Sequence, residues 1–373
     1  MPITIQPYTE SFVPAVKNFN RRLKSAGCFS DFLFFEHHLS DSLPKIPGQD
    51  LYEEYFLAVE DGTVRGGFAL KHQQFSFLGE LKPIVFYHFP LSEGIVDKTY
   101  TNVGVHMLRK AWRDNPLMFA LGMGGFEQPL PRMLKALGWS MCLVPFYFRV
   151  LRPFRFLRGM AELRESATKR LAMDAAAFTG MGSVAIRVIQ GFKSSRKGIG
   201  QTFVAQEIYE FDEWANFLWK KCNSQYAMLG DRTSRALNLL YPAETERFIR
   251  VKVEASGEPI GWLVLLDTQM HNNRHFGDLR VASIVDCLAP LENAAEVIRA
   301  GTQFLQEKRI DLIISNQSHT AWVAGLERSG FLQGPSNCVF AASPKLAELL
   351  QPFTEKVRES HLNRGDGDGP IHL

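Results

Sequence analysis

The sequence predicts an α/β protein of two similar lobes, each a mixed, mostly antiparallel sheet flanked by helices, with a basic helical linker joining them. Three observations carry this prediction. The chain has 373 residues, 46% of them hydrophobic, which is long for one domain and apolar enough for two cores. Two β-rich pairs of runs, each joined by a tight polar turn, stand about one domain apart. After each pair the same order follows: strand, helix, buried strand, and a helix stopped by glycine.

In the first lobe, residues 1–150, Ile3 and Ile5 alternate with polar residues, and Phe12, Val13, Val16, Phe19 and Leu23 then recur at helical spacing. Residues 55–60 and 63–70 flank Asp61-Gly62 as a hairpin. Residues 83–89 read as a strand that 91–96 extend, and a helix follows from about 103 to 113, stopped by Asp114-Asn115-Pro116. Residues 117–121 are a buried strand ended by Gly122-Met123-Gly124-Gly125, and 130–137 a helix that Gly138 closes. Residues 139–150 supply a last strand or hairpin. The second lobe, 201–350, repeats the outline: a helix at 211–219, a hairpin of 248–254 and 259–266, a strand at 282–287, a helix at 294–308, a strand at 311–315 and a helix at 321–329 stopped by Gly330-Phe331. The glycine- and aspartate-rich stretch at 351–373 reads as a disordered tail.

The net charge of +3 is too small to make nucleic acid the partner. The charge is unevenly placed: residues 151–200 hold ten Lys and Arg against Glu162, Glu165 and Asp174, a net +7 that leaves −4 elsewhere. With Leu151, Phe154, Phe156, Leu157 and Met160 interleaved, this segment fits either peripheral contact with an anionic membrane or a connector whose apolar side packs inward and whose arginines face water. The five cysteines lack metal-ligand spacing and read as reduced thiols. Neither a secretory leader pattern nor an apolar stretch of about 18 residues is visible, so the expected location is cytoplasmic.

Val59-Glu60-Asp61-Gly62-Thr63-Val64-Arg65-Gly66-Gly67, the loop from Val96 to Gly104, and Leu134-Lys135-Ala136-Leu137-Gly138-Trp139 together resemble the GNAT acyltransferase superfamily. The second lobe offers the run from Val253 to Trp262 and Leu326-Glu327-Arg328-Ser329-Gly330-Phe331. The resemblance implies a tandem N-acyltransferase taking acetyl-CoA or another acyl-CoA as co-substrate, without a metal, and a small-molecule amine such as an amino sugar or envelope precursor. A Fem-like aminoacyl transferase and a GNAT-fold binding protein without catalysis are the alternatives. The family's Gly-rich loop lets backbone N–H groups and a helix N-terminus meet the pyrophosphate. Its counterpart here is Thr99-Tyr100-Thr101-Asn102-Val103-Gly104, which keeps only the last glycine, with Asn102 expected to supply a left-handed conformation. The donor-binding set implied is therefore Ile95, Val96, Thr99, Asn102, Val103 and Gly104. Nothing glycine-rich follows Asp286-Cys287 in the second lobe, so that lobe is not expected to hold the pyrophosphate.

Deprotonating the attacking amine needs a base beside the loop. Glu93 is the first candidate, with a solvated strand-end carboxylate as its alternative role; His88 is the second, with packing beside Phe86 and Phe89 as its alternative. The family's tyrosine acid has no counterpart, since Leu134 and Leu326 stand at its positions. His37-His38 has no completing ligands, His271 and His275 read as loop residues, and Asp231-Arg232 as either an acceptor contact or a helix-start ion pair.

Overall fold

The computed structural model describes residues 3–28, 33–36, 43–193 and 203–369. The first half of the chain runs β1 (Thr4–Pro7), α1 (Val13–Ser25), β2 (Tyr52–Glu60), β3 (Thr63–Phe77), β4 (Glu80–Ser92), α2 (Val103–Asp114), β5 (Met118–Gly122), α3 (Pro129–Ala136), β6 (Ser140–Leu143) and β7 (Phe146–Val150). Three helices follow: α4 (Pro153–Gly159), α5 (Ala167–Phe178) and α6 (Met181–Lys193). The second half runs β8 (Phe203–Ile208), α7 (Glu213–Cys222), β9 (Leu229–Gly230), α8 (Ser234–Leu240), β10 (Phe248–Ala255), β11 (Glu258–Gln269), β12 (Arg280–Leu288), α9 (Ala294–Glu307), β13 (Leu312–Asn316), α10 (Thr320–Arg328), β14 (Leu332–Gly334) and β15 (Val339–Ala342). The chain ends with α11 (Pro344–Leu349) and α12 (Phe353–Arg358).

The chain forms two compact units, one of Met1–Phe75, Leu81–Cys142 and Val339–Phe353, the other of Ser76–Glu80, Leu143–Cys338 and Thr354–Leu373. In the first, the strands run β1-β2-β3-β4-β5-β15-β6. Asp61 at φ 48° and Gly62 at φ 73° make the turn that joins β2 to β3 with the twist a hairpin needs. One face of this sheet carries Phe68, Leu70, Val85, Tyr87 and Met118 and is covered by Val103, Met107, Leu108 and Ala111 of α2 and Leu134 of α3. The other carries Leu57, Val59, Val64 and Leu91 under Val16, Phe19 and Leu23 of α1, which recur at helical spacing.

In the second unit the order is β14-β7-β13-β12-β11-β10-β8. The two orders are the same once β7 and β15 are interchanged: along each of these paths one strand comes from the other half of the sequence, and β9 pairs with β3 off the path. β15 pairs with β5 from Val339↔Gly122 to Ala342↔Phe119, and β7 pairs with β13 from Val150↔Leu312 to Phe146↔Asn316. Residues 139–150 are thus two strands in two sheets and not a hairpin. The expected connector is also part of the second unit. Phe156, Leu157, Met173, Ala177 and Ile186 of α4–α6 cover the sheet face bearing Val150, Val281, Leu312 and Ile314.

The expected disordered tail is ordered as far as it is described. Ser360, His361, Leu362, Asn363 and Asp366 are all 1% exposed or less. Polar residues tolerate this burial because each has a partner. Asn363 accepts from Gly365 N while the Asp366 carboxylate accepts from Asn363 N, a reciprocal cap that folds the segment onto itself.

Candidate functional site

In the first unit β4 and β5 run parallel and pair at only two positions, Val85↔Met118 and Phe86↔Phe119. Beyond them the strands follow separate courses for identifiable reasons. Phe89 lies at φ 49°, a conformation costly for an aromatic residue, and the face that β4 presents changes there: Val85 and Tyr87 face α2, whereas Leu91 faces α1. On β5, Gly122, Met123, Gly124 and Gly125 have φ of 99°, 62°, 74° and 106°, four successive left-handed residues that turn the chain at the strand end.

His88 lies between the last paired residue, Phe86, and Phe89. Its side chain is 2% exposed, and Nε2 stands 3.7 Å from Glu53 Oε1, an ion-pair distance that is too long for a hydrogen bond. The ring stacks on Phe86 at 4.8 Å and tilts against Phe89 at 4.6 Å. Glu53 accepts a hydrogen bond from Tyr55 Oη at 2.5 Å and sits opposite Lys71 in the β2–β3 ladder. The Lys71 ammonium lies 5.3 Å from the Phe86 ring centroid. Lys71 and Gln73 are buried at 6% and 3% exposure, so the face carrying His88 holds a base, a carboxylate and an ammonium away from water. Phe35 stacks edge-on against both Tyr55 and Phe89, at 5.7 Å and 5.0 Å, giving the cluster an aromatic wall. Only His88 was found from sequence. Glu53, Lys71 and Gln73 sit near one end of the β2–β3 ladder, where charged residues read as a solvated edge; the alternation Glu53-Tyr55 against Lys71-Gln73 was the available signal.

Glu93 belongs to a 3-10 turn, Glu93–Ile95, directly after β4. It receives Arg22 Nε at 2.6 Å and Nη2 at 3.0 Å, and Arg65 Nη1 at 3.0 Å. Burial alone would raise its pKa; the hydrogen bonds and charges of the two arginines outweigh that, and its carboxyl is held below the ordinary glutamate value. Arg65 also stacks on Tyr100 at 4.1 Å, so the ion cluster clamps the loop that leads to α2.

The loop itself departs from expectation at Asn102, which has φ −77° and ψ −13°, right-handed and not left-handed. The special backbone is needed earlier. A Cβ on Gly94 would fall 2.6 Å from Tyr100 O and 2.9 Å from Thr101 Cα, so a side chain there would force the loop apart. Ile95 is half exposed, Val96 packs against the α1 face, Thr99 N donates to Asp97 Oδ1 at 2.9 Å, and Val103, the first residue of α2, is buried against the sheet. No side chain caps α2, and a Cβ on Gly104 would meet only Met133 Sδ, at 4.0 Å. Asn102 and Gly104 therefore border an approachable helix N-terminus, while Val96 and Val103 serve packing.

The second unit treats the same place differently. β12 and β13 pair at four positions, from Val281↔Leu312 to Ile284↔Ser315, and a bulge at Val285 follows. Past it, residues 361–366 occupy the strand ends. His361 Nε2 bonds Cys287 O at 2.5 Å, Asn363 Nδ2 donates to Asp286 Oδ1 at 2.8 Å, and Asn363 bridges to Gln317. Arg232, 1% exposed, joins Asp286 and Asp366 at 2.7 Å each, and Tyr241 Oη donates to Asp286 Oδ2 at 2.7 Å. Burial lowers the Arg232 pKa, the two carboxylates raise it more, and the guanidinium stays charged. Arg232 is thus an internal ion-pair partner and does not face an acceptor. His319 is pushed down to about 4 by burial and stays neutral. His275 pairs with Glu162 in the loop after β11, and His37 and His38 lie outside the described residues.

No protein-family model matches the sequence, and no curated protein matches it. Solved structures do. The Saccharomyces cerevisiae N-myristoyltransferase with bound myristoyl-CoA superposes with a TM-score of 0.51 at 11% identity, over 92% of this chain and 83% of that chain. A conserved protein of unknown function from Enterococcus faecalis V583, described as a probable N-acyltransferase, gives 0.50 at 10% identity, over 94% and 75%. The chain therefore shares the fold of these two structures.

Proposed function

We propose that the protein is an acyl-CoA-dependent N-acyltransferase whose donor site lies in the first unit, between β4 and β5, and whose acceptor is a primary amine on a small molecule such as an amino sugar or envelope precursor. The observation that carries this reading is the early parting of β4 from β5 beside buried His88, set against the second unit, where residues 361–366 fill the equivalent place. The uncapped N-terminus of α2, at Asn102–Gly104, is positioned for an anionic group such as the donor pyrophosphate. In the reaction the amine nitrogen bonds to the acyl carbon, the carbon–sulfur bond breaks, and the amine proton leaves as the thiolate is reprotonated. His88 takes the amine proton. Glu53, 3.7 Å away, stabilises the resulting imidazolium, and the aromatic wall excludes water. Glu93, claimed by two arginines, positions the loop and does not act as the base.

Calorimetric titration with acetyl-CoA and free CoA tests the donor site. Binding is expected, and Gly104→Asp abolishes it by placing a carboxylate at the helix N-terminus. His88→Ala keeps donor affinity and lowers kcat about 100-fold or more. Absence of heat at millimolar ligand overturns the reading in favour of a fold that has lost its donor.

A further inference from the structure

α6 turns its apolar side outward. Met181, Val184, Val188 and Ile189, at helix spacings of three, four and one, are 71%, 61%, 48% and 51% exposed. The opposite side fixes this orientation. Gly182 presses on α4, where an added Cβ would fall 2.6 Å from Leu157 Cδ1; Ile186 packs on the sheet; and Gln190 bonds Val150 N and O at 3.0 and 3.1 Å. The stripe therefore cannot roll inward. Across the short turn at Thr179-Gly180, α5 adds Leu171 at 74% and Phe178 at 68%, and Phe154 of α4 meets Phe178 edge-on at 5.6 Å.

Positive charge surrounds this patch. The Arg158 guanidinium lies over both Phe154 and Phe178, at 5.9 and 5.1 Å, and Lys169, Arg170 and Arg187 are exposed on the same two helices. The three nearby acids, Glu162 paired with His275, Glu165 with Lys169 and Asp174 with Arg164 and Arg158, are outnumbered by five cations, Arg158, Arg164, Lys169, Arg170 and Arg187. The inward packing expected of a connector holds for Leu151, Phe156, Leu157 and Met160, but α5 and α6 carry a second set of apolar side chains that stands in water.

We propose that α4–α6 form a docking surface for the headgroup region of an anionic lipid bilayer. The charge argues for this occupant. A second copy meeting the patch about a two-fold axis would set the same cations against each other, whereas an anionic bilayer satisfies the cations and the apolar stripe together. Among the described residues no single helix is long and apolar enough to cross a membrane; α5 and α6, bent at 79°, pass that test only as a pair, and Ala177, Ile186 and Gln190 hold them on the sheet, which favours contact at the interface. The inference rests on this surface alone and does not depend on the acyl-transfer reading.

The test is co-sedimentation of the full-length protein with phosphatidylcholine vesicles, with and without phosphatidylglycerol. Binding is expected only with the anionic lipid, and is weakened by high salt. The double substitution Val184→Asp with Val188→Asp, both on the exposed side, lowers it about tenfold or more, and Arg187→Glu lowers it with the apolar stripe intact. Near-UV circular dichroism matching wild type shows that the variants are folded. No binding to anionic vesicles, or equal binding by the folded variants, overturns the proposal. So does a wild-type dimer by sedimentation velocity that the double variant dissolves while neither binds lipid.

Discussion

Glu93 is claimed by Arg22, 71 residues away, and by Arg65, 28 residues away. Neither partner could be read from the spacing around the loop, which is why the sequence left its task open between a base and a strand-end carboxylate. A base must release its proton and take another near neutral pH; this carboxyl is held below its ordinary value of 4.5 and stays ionised. Its contribution to stability is therefore fully present above 4.5 and is lost as pH falls through the lower value it has when folded. Glu93→Gln leaves two guanidinium groups without their partner. The expected cost is about 1–2 kcal/mol at neutral pH, reduced from that of a fully buried pair because the Arg22 side chain is 34% exposed. Urea titrations of both proteins should show this gap near pH 7 and its narrowing as pH falls below 4.5 and wild-type Glu93 takes up its proton. A gap of constant size across that range means that the residue acts through packing.

The segment of residues 360–366 reads as disorder in sequence and behaves as core in the fold. Its glycines and acids are a composition signal for flexibility only when they lack partners. The partners are remote: Asp286 is 77 residues from Asn363, and Arg232 is 134 residues from Asp366. By contrast the turn at Asp61-Gly62 and the apolar spacing of α1 are local, and both were legible. Gly365 distinguishes the two descriptions of this element. A Cβ there would meet the Tyr241 hydroxyl and approach Asp286 Cβ to 2.9 Å, with both neighbours fully buried. Gly365→Ala should therefore cost about 1–3 kcal/mol by overpacking, read as a lowered urea midpoint at unchanged m. In a disordered tail the same substitution changes nothing measurable, and that result would remove this segment from the core.

The order of the hairpins, strands and helices read in each half was legible, but β8, α8, β14 and β15 were not among them, and neither was the sheet that β7 joins. Period-two patterns identify a strand and its faces without naming its neighbour, so Phe146–Val150 and Val339–Ala342 suit either sheet equally. The one warning lay between β6 and β7. Val144-Pro145 cannot form a tight hairpin turn, because proline fixes φ near −65° and the favoured turns need positive φ. The exchange makes each unit depend on both halves of the sequence. Without β15, β5 and β6 lose the strand between them; without β7, β13 and β14 lose theirs. Buried strand edges then stand open, and their backbone groups go unpaired. Fragments 1–200 and 201–373, expressed separately, should each lack a cooperative thermal transition and a near-UV circular dichroism signal. An equimolar mixture refolded together should regain both, since two complete sheets can form only when each fragment supplies the other's strand. A cooperative transition in fragment 1–200 alone would mean that β7 can return to its own sheet and that the exchange is optional.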